Sequence, residues 1–269
     1  MNLHPTAYAR GVEHIALDEV DSTNAHALRY GAAGMRGPLW VTAQMQTAGR
    51  GRRGRSWVSE PGNLYASLLL AEPAPVMQVA QCSFVAALAV HDAVCDTAPA
   101  LAARLSLKWP NDVLCDGRKL AGILIEGEGT KPLMVAIGIG INCQRHPRDA
   151  IYPATDLSVL GAEVTAAEAF AALSRRMAER LALWNGGTCF ADIRAAWLAH
   201  GPMPGAALRV RLTDGDVTGF FNTIDDEGNL VLTEADGGRR SITAGDVFPV
   251  ATPSADAAAS GFASRWRPA

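Results

Sequence analysis

The sequence predicts an α+β protein made of one large and one small domain. Three observations carry this. Apolar strand-like runs alternate with helical patterns as far as His200. A proline–glycine linker follows at Gly201-Pro202-Met203-Pro204-Gly205. Beyond it come five short strands with tight turns in about 45 residues, the pattern of a small barrel. A chain of 269 residues is long enough for both parts. The expected domains are 1–204 and 205–252. The Ala- and Ser-rich residues 253–269 are expected to form a disordered tail.

Element by element, Ile15 to Val20 reads as a strand. Asp21-Ser22-Thr23-Asn24 then supplies helix-start chemistry for a short helix to about Tyr30. Leu39 to Gln44 is a second strand, and Leu64 to Leu70 a third, with a glycine–arginine segment between them. Val76 to Val94 is interrupted by Gln78, Gln81, Ser83, His91 and Asp92, so it reads as a buried helix and not a membrane span. Leu105 to Trp109 is a short strand. Leu120 to Glu126 and Leu133 to Ile141 read as a hairpin. From Thr165 to Trp184, Ala166, Phe170, Leu173, Met177, Leu181 and Trp184 recur in steps of three or four, which predicts an amphipathic helix. A second helix covers about Phe190 to His200.

Composition limits function. Hydrophobic residues make up 49% and aromatics 6%, so the core is mainly aliphatic. The formal net charge of -3 argues against general binding to nucleic acid or anionic membrane, so any cationic site must be local. The five cysteines are scattered and form no C-x-x-C pair, which argues against a disulfide framework or zinc cluster and suits the cytoplasm. The N-terminus has no apolar signal region.

Three segments carry chemistry. In Gly49-Arg50-Gly51-Arg52-Arg53-Gly54-Arg55-Ser56-Trp57, four arginines sit on a glycine-rich backbone. Guanidinium groups pair with carboxylate or phosphate, and glycines let amide donors approach a ligand. Mutual repulsion among the arginines predicts a loop that stays mobile until an anion neutralises it. The second segment is Lys108-Trp109-Pro110-Asn111-Asp112, followed by Arg118-Lys119-Leu120-Ala121-Gly122. Lys119 opens an apolar strand, from which its ammonium could reach a partly desolvated cleft. The third, Gly138-Ile139-Gly140-Ile141-Asn142, alternates glycines in a strand, as where a ligand packs against backbone. Taken singly, each also fits a plain structural role: a solvated basic loop or RNA-binding patch, a turn with an edge lysine, or close strand–helix packing.

Together, and in this order, DSTN, the Gly–Arg loop, KWPND, RKLAGILIE and GIGIN resemble the biotin–protein ligase family over Asp21 to Asn142. The resemblance implies a mixed-sheet catalytic domain of the biotin/lipoate ligase type with helices packed on it, followed by an SH3-like barrel. It implies that biotin and ATP are substrates, with Mg²⁺, and that biotin passes through an adenylate to a lysine of a biotin carboxyl carrier protein domain of a biotin-dependent carboxylase. On matching positions, Ser22, Thr23, Asn24 and Gln46 would hold the biotin head. Arg50, Gly51, Arg52 and Lys119 would hold its carboxylate. Arg52, Arg55, Trp57, Asn111 and Asn142 would contact ATP or adenylate. Lys119 and Arg52 would be catalytic. Asp112 would either take the proton of the acceptor amine or orient its neighbours or magnesium.

Some family members also bind DNA through an N-terminal domain. The 20 residues before Asp21 are too few for one, so the resemblance is to the ligase-only type. Either a monomer or a homodimer fits. A lipoate–protein ligase or octanoyl transferase is the enzymatic alternative, and an RNA-binding protein using the GRGRRGR loop is the alternative of another class.

Overall fold

The computed structural model describes residues 1–148 and 150–250. The expectation for 253–269 lies outside the described residues. Seven strands form one mixed sheet: β1 (Glu13–Val20), β2 (Leu39–Gln46), β3 (Leu64–Ala71), β4 (Leu105–Lys108), β5 (Asp112–Cys115), β6 (Arg118–Glu128) and β7 (Met134–Ile141). Their order is β1-β2-β3-β7-β6-β5-β4. Only β1 and β2 run parallel; the other neighbours are antiparallel. β5 was not expected as a strand. It is only four residues long and sits between two turns, so it carries no periodic signal of its own.

Among the described residues, five α-helices accompany the sheet: α1 (Pro5–Tyr8), α2 (Thr23–Ala32), α3 (Cys82–Thr97), α4 (Ala166–Trp184) and α5 (Phe190–Leu198). The short α1 was also not expected. The stretch Val76–Thr97 is long and apolar enough to span a membrane by composition alone. The fold instead buries most of it. The α-helix begins at Cys82, later than the expected Val76, and packs on α4 and on the sheet with residues such as Val85, Leu88 and Val90 fully covered. Val76 and Met77 lie in an exposed 3₁₀ turn. Helix α4 begins where its chemistry dictates. Glu168 N donates to Thr165 Oγ1 at 3.2 Å while Thr165 N donates back to Glu168 Oε2 at 2.9 Å, a reciprocal cap. Its expected stripe is the buried face, with Phe170, Leu173, Met177 and Trp184 at 1% exposure or less. On the opposite face of the sheet, α2 covers Leu39, Val41, Leu69 and Met134 through Ala27.

After α5 the chain forms the predicted second sheet: β8 (Ala207–Arg211), β9 (Asp216–Ile224), β10 (Leu230–Thr233), β11 (Arg239–Ile242) and β12 (Asp246–Pro249), in the order β11-β10-β9-β8-β12, all antiparallel. This small unit is fastened to the large one. Trp109 Nε1 donates to Gly228 O at 3.0 Å, and Arg194 Nη1 donates to Ile224 O at 2.9 Å. The first of these holds the KWPND turn directly against the C-terminal sheet.

Candidate active site

A cavity of about 400 Å³ opens on the face of the large sheet that carries α2. All thirteen residues singled out from sequence line it: Ser22, Thr23, Asn24, Gln46, Arg50, Gly51, Arg52, Arg55, Trp57, Asn111, Asp112, Lys119 and Asn142.

One end is neutral and polar. Ser22 caps α2 without spending its hydroxyl on the helix, and it is buried. Gln46 Oε1 accepts from Thr23 N at 2.8 Å and Thr23 Oγ1 at 3.1 Å, while Gln46 Nε2 donates to Ser59 Oγ at 2.8 Å. Asn24 Oδ1 lies 2.6 Å from Ser67 Oγ, and Asn24 Nδ2 donates to Glu126 Oε2 at 2.8 Å. These bonds fix which atoms face the cavity, as recognition of a rigid polar group requires. The alternate glycines serve this end. A Cβ on Gly138 would lie 2.5 Å from Asn24 Oδ1, and one on Gly140 would lie 2.6 Å from the Trp57 indole. They make room for two cavity walls, so side chains from elsewhere in the fold, not a ligand alone, lie against the strand. Trp57 Nε1 is buried with no hydrogen-bond partner among the described residues, which leaves a donor in the cavity wall.

The other end is cationic. Arg50, Arg52, Arg55, Lys108 and Lys119 line the cavity against two carboxylates, Asp112 and Asp246. The chain's net charge of -3 is thus locally reversed. The Gly–Arg loop folds back through an Arg50–Ser56 bridge and a 3₁₀ turn at Arg52–Gly54. Its arginines are not left to repel one another. Arg50 pairs with Glu126 at 3.1 Å, and Asp246 takes Arg55 at 2.8 Å and Arg53 at 3.4 Å. That corrects the expectation of a loop awaiting an external anion, because the neutralising carboxylates come from β6 and β12. Arg52 is the exception. Among the described residues it has no carboxylate partner and bonds only Gly245 O at 3.2 Å and Asn111 Oδ1 at 3.4 Å. Burial pulls its pKa below the ordinary arginine range, opposed by the charges of Asp246 and Asp112. A half-buried guanidinium without a paired carboxylate is the natural seat for an anionic ligand.

Lys119 reaches the cavity because β6 is irregular. The β5–β6 register slips between Val113 and Leu114, so Leu114 faces Lys119 while Val113 faces Ala121. In a regular strand, residues three apart point to opposite faces. The bulge lets Lys119 Nζ lie over Gly122, 3.1 Å from where its Cβ would be, and 5.2 Å from the Trp57 ring centre. Asp112 sits between two ammonium groups, Lys108 Nζ at 2.7 Å from Oδ2 and Lys119 Nζ at 2.6 Å from Oδ1. Burial works to raise its pKa, yet the two lysines outweigh it and hold the carboxyl well below the usual range. Such a carboxylate is a weak base. Of the two expected roles for Asp112, the two ion pairs favour orientation.

Asn142 Nδ2 donates to Thr155 O at 3.0 Å, so its side chain tethers the segment after β7 to the cavity wall. Sequence reasoning missed Tyr152, Gly245, Asp246 and Phe248, which also line the cavity. Nothing local marks them, since only the tertiary fold brings β12 to the loop. Lys108, the first residue of the KWPND motif, lines the cavity as well.

The arrangement fits a ligase that brings a carboxylate and a phosphate together between cations, with a polar pocket for the rest of the acid. Comparison with known proteins narrows that class. Residues 17–142 match the biotin/lipoate A/B protein ligase family, and 207–248 match the biotin protein ligase C terminal domain. A biotin--[acetyl-CoA-carboxylase] ligase of Paracoccus denitrificans is 42% identical over 86% of this chain and 98% of its own. The enzyme of that name from Mycobacterium tuberculosis is 36% identical over 85% of this chain and 86% of its own. The biotin protein ligase of Aquifex aeolicus, solved with biotin and ATP, superposes with a TM-score of 0.74 at 28% identity, over 88% of this chain and 97% of that one. The chain belongs to the biotin protein ligase family.

Proposed function

We propose that this protein forms biotinyl-5′-AMP from biotin and ATP, releasing pyrophosphate, and then transfers the biotinyl group to one lysine of a biotin carboxyl carrier protein domain. The observation that carries the reading is Arg52: half-buried, without a carboxylate partner among the described residues, and in the same cavity as Lys119.

In this reading Ser22, Thr23, Asn24 and Gln46 hold the ureido head, and Trp57 packs along the ligand. Arg50, Gly51, Arg52 and Lys119 receive the carboxylate. Arg52, Arg55, Trp57, Asn111 and Asn142 border the nucleotide or adenylate. The carboxylate must approach the α-phosphate against repulsion of about 4 kcal/mol at 4 Å, for an effective dielectric near 20. Fixed cations at that point offset the repulsion and favour the transition state over the separated anions. The carboxylate oxygen then bonds to phosphorus and pyrophosphate departs. In the second step the acceptor amine attacks the carbonyl carbon, AMP leaves and the amine loses a proton. Among the described residues no group of three His, Cys, Asp or Glu could hold a metal, and both cavity carboxylates are ion-paired. Magnesium would enter with ATP, as part of that substrate.

We assign 1–204 to catalysis and 205–252 to the accessory unit. We also place the enzyme in the cytoplasm, supported by five unpaired cysteines, acting without DNA or membrane as monomer or dimer. The RNA-binding alternative is disfavoured because three loop arginines are turned onto Glu126 and Asp246. ATP–pyrophosphate exchange tests the reading. Exchange dependent on biotin and not supported by lipoate is expected; equal exchange with lipoate, or none with either, would overturn it.

A further inference from the structure

Lys108 is a buried charge that the reaction as described does not use. Its side chain is 8% exposed, against 25% for Lys119. Lys108 closes β4 and Asp112 opens β5, and the two face each other across the Trp109–Asn111 turn. The hairpin itself therefore sets their ion pair. Tyr152 lies under the Lys108 ammonium at 4.6 Å from its ring centre. Burial lowers the Lys108 pKa, and the charge of Asp112 and, at longer range, that of Asp246 oppose the shift and favour the protonated form. Burying an ammonium is costly unless it is paired, so a lysine kept here needs a reason.

Counting charge supplies one. Lys119 is also in contact with Asp112, at 2.6 Å. If Asp112 and Lys119 were alone, the carboxylate would cancel the very charge that the anionic reactants need. With Lys108 present, two ammonium groups share one carboxylate, and the cluster keeps one net positive charge. Both lysines line the cavity, but the Lys108 side chain is only 8% exposed against 25% for Lys119, so the surplus is presented mainly at Lys119. We infer that Lys108 is a positioning residue that neutralises Asp112 from behind, so that Asp112 can hold Lys119 in place without cancelling its charge on the reacting anions.

The inference rests on the adenylate-forming reading, and one experiment separates the two. Biotin-dependent pyrophosphate exchange and biotin affinity are measured for the wild type, Lys108→Met and the double variant Lys108→Met/Asp112→Asn. Affinity for biotinol, the uncharged alcohol analogue, is measured in parallel, and thermal melting reports folding. Lys108→Met keeps the side chain's length but leaves the cluster neutral. It should lose roughly a hundredfold in exchange rate and should weaken biotin far more than biotinol. The double variant removes one charge of each sign and restores the net positive charge. It should regain at least about tenfold over Lys108→Met, a recovery that a packing role would not produce. Should Lys108→Met not fold, the double variant is compared with the wild type, and exchange within roughly tenfold is expected. A near-normal Lys108→Met, equal weakening of biotin and biotinol, or a double variant as inactive as the single one would overturn the inference. Absence of biotin-dependent exchange in the wild type would instead remove the reading beneath it.

Discussion

Lys119 Nζ forms an ion pair at 2.6 Å with Asp112 Oδ1, a buried oxygen that has no hydrogen-bond partner among the described residues. The lysine is thus aimed by a carboxylate that lies on the next strand, and only because a bulge turns its side chain to the cavity face.

The first prediction concerns Lys119→Ala. The side chain is a quarter exposed at the start of a strand, so its truncation leaves little cavity in the core. Losing one preorganised charge at the reacting centre costs ~3 kcal/mol, roughly a hundredfold in rate. Pyrophosphate exchange should fall by that factor while the melting temperature stays near that of the wild type. Near-normal exchange in the folded variant would exclude the role.

The second concerns Asp112→Asn. A proton relay to the acceptor amine would make this variant slow in transfer and normal in adenylation. The position of Asp112 between two lysines argues otherwise. Both half-reactions should fall together, because each depends on where Lys119 points. Single-turnover transfer from pre-formed adenylate, compared with exchange, checks it. A loss confined to transfer would reinstate the relay.

Much of this site was legible in the sequence because its parts are local motifs. The Gly–Arg loop, KWPND and GIGIN each occupy one turn or strand, and the α4 stripe is read from spacing alone. What was not legible depends on distant pairing. The bulge that aims Lys119 exists only once β5 pairs with β6, and β5 is too short to announce itself. Asp246 neutralises Arg53 and Arg55 across more than 190 residues of chain, so repulsion counted within the loop gave the wrong balance.

The third prediction is steric. Gly140→Ala would place a methyl group 2.6 Å from the Trp57 indole, and the indole must move. Trp57 packs over the cavity floor and beside Lys119, so displacement should raise the KM for biotin by about tenfold or more. Overpacking costs typically 1–3 kcal/mol in stability, which a fold of this size should survive. Steady-state kinetics at varied biotin decides it, and an unchanged KM would mean that Trp57 does not border biotin.

The fourth concerns pH. His14 stacks on Phe170 at 4.7 Å and lies 2.9 Å from Thr42 Oγ1. Burial, with help from the positive N-terminus, lowers its pKa from 6.5 to about 4. As pH falls below 6.5 the unfolded chain binds a proton that the folded one refuses. The contribution of neutral His14 is therefore full above pH 6.5 and is lost on the way down to about 4. After discounting for partial exposure it amounts to about 1–2 kcal/mol. The melting temperature of His14→Gln should lie below wild type at pH 7, and the gap should close by a few degrees near pH 4. A gap independent of pH would contradict the assignment.

The last prediction joins the two sheets. Asp246 opens β12 in the C-terminal unit, yet its carboxylate pairs with Arg55 and Arg53 of the ligand loop, and the neighbouring Gly245 carbonyl takes Arg52. The C-terminal unit thus holds the loop that must present Arg52. Asp246→Asn keeps the shape and removes the charge, so Arg53 and Arg55 lose their common partner and their repulsion returns. The loop should then open more often. Its arginines are trypsin sites, so limited digestion should cut this segment several times faster in Asp246→Asn than in the wild type. Biotin and ATP together should restore much of the protection, since bound anions replace the missing carboxylate. Exchange at subsaturating ATP should fall more than exchange at saturation, because the cost lies in ordering the loop before chemistry. Identical digestion rates for the two proteins without ligands would show that the loop keeps its shape without Asp246.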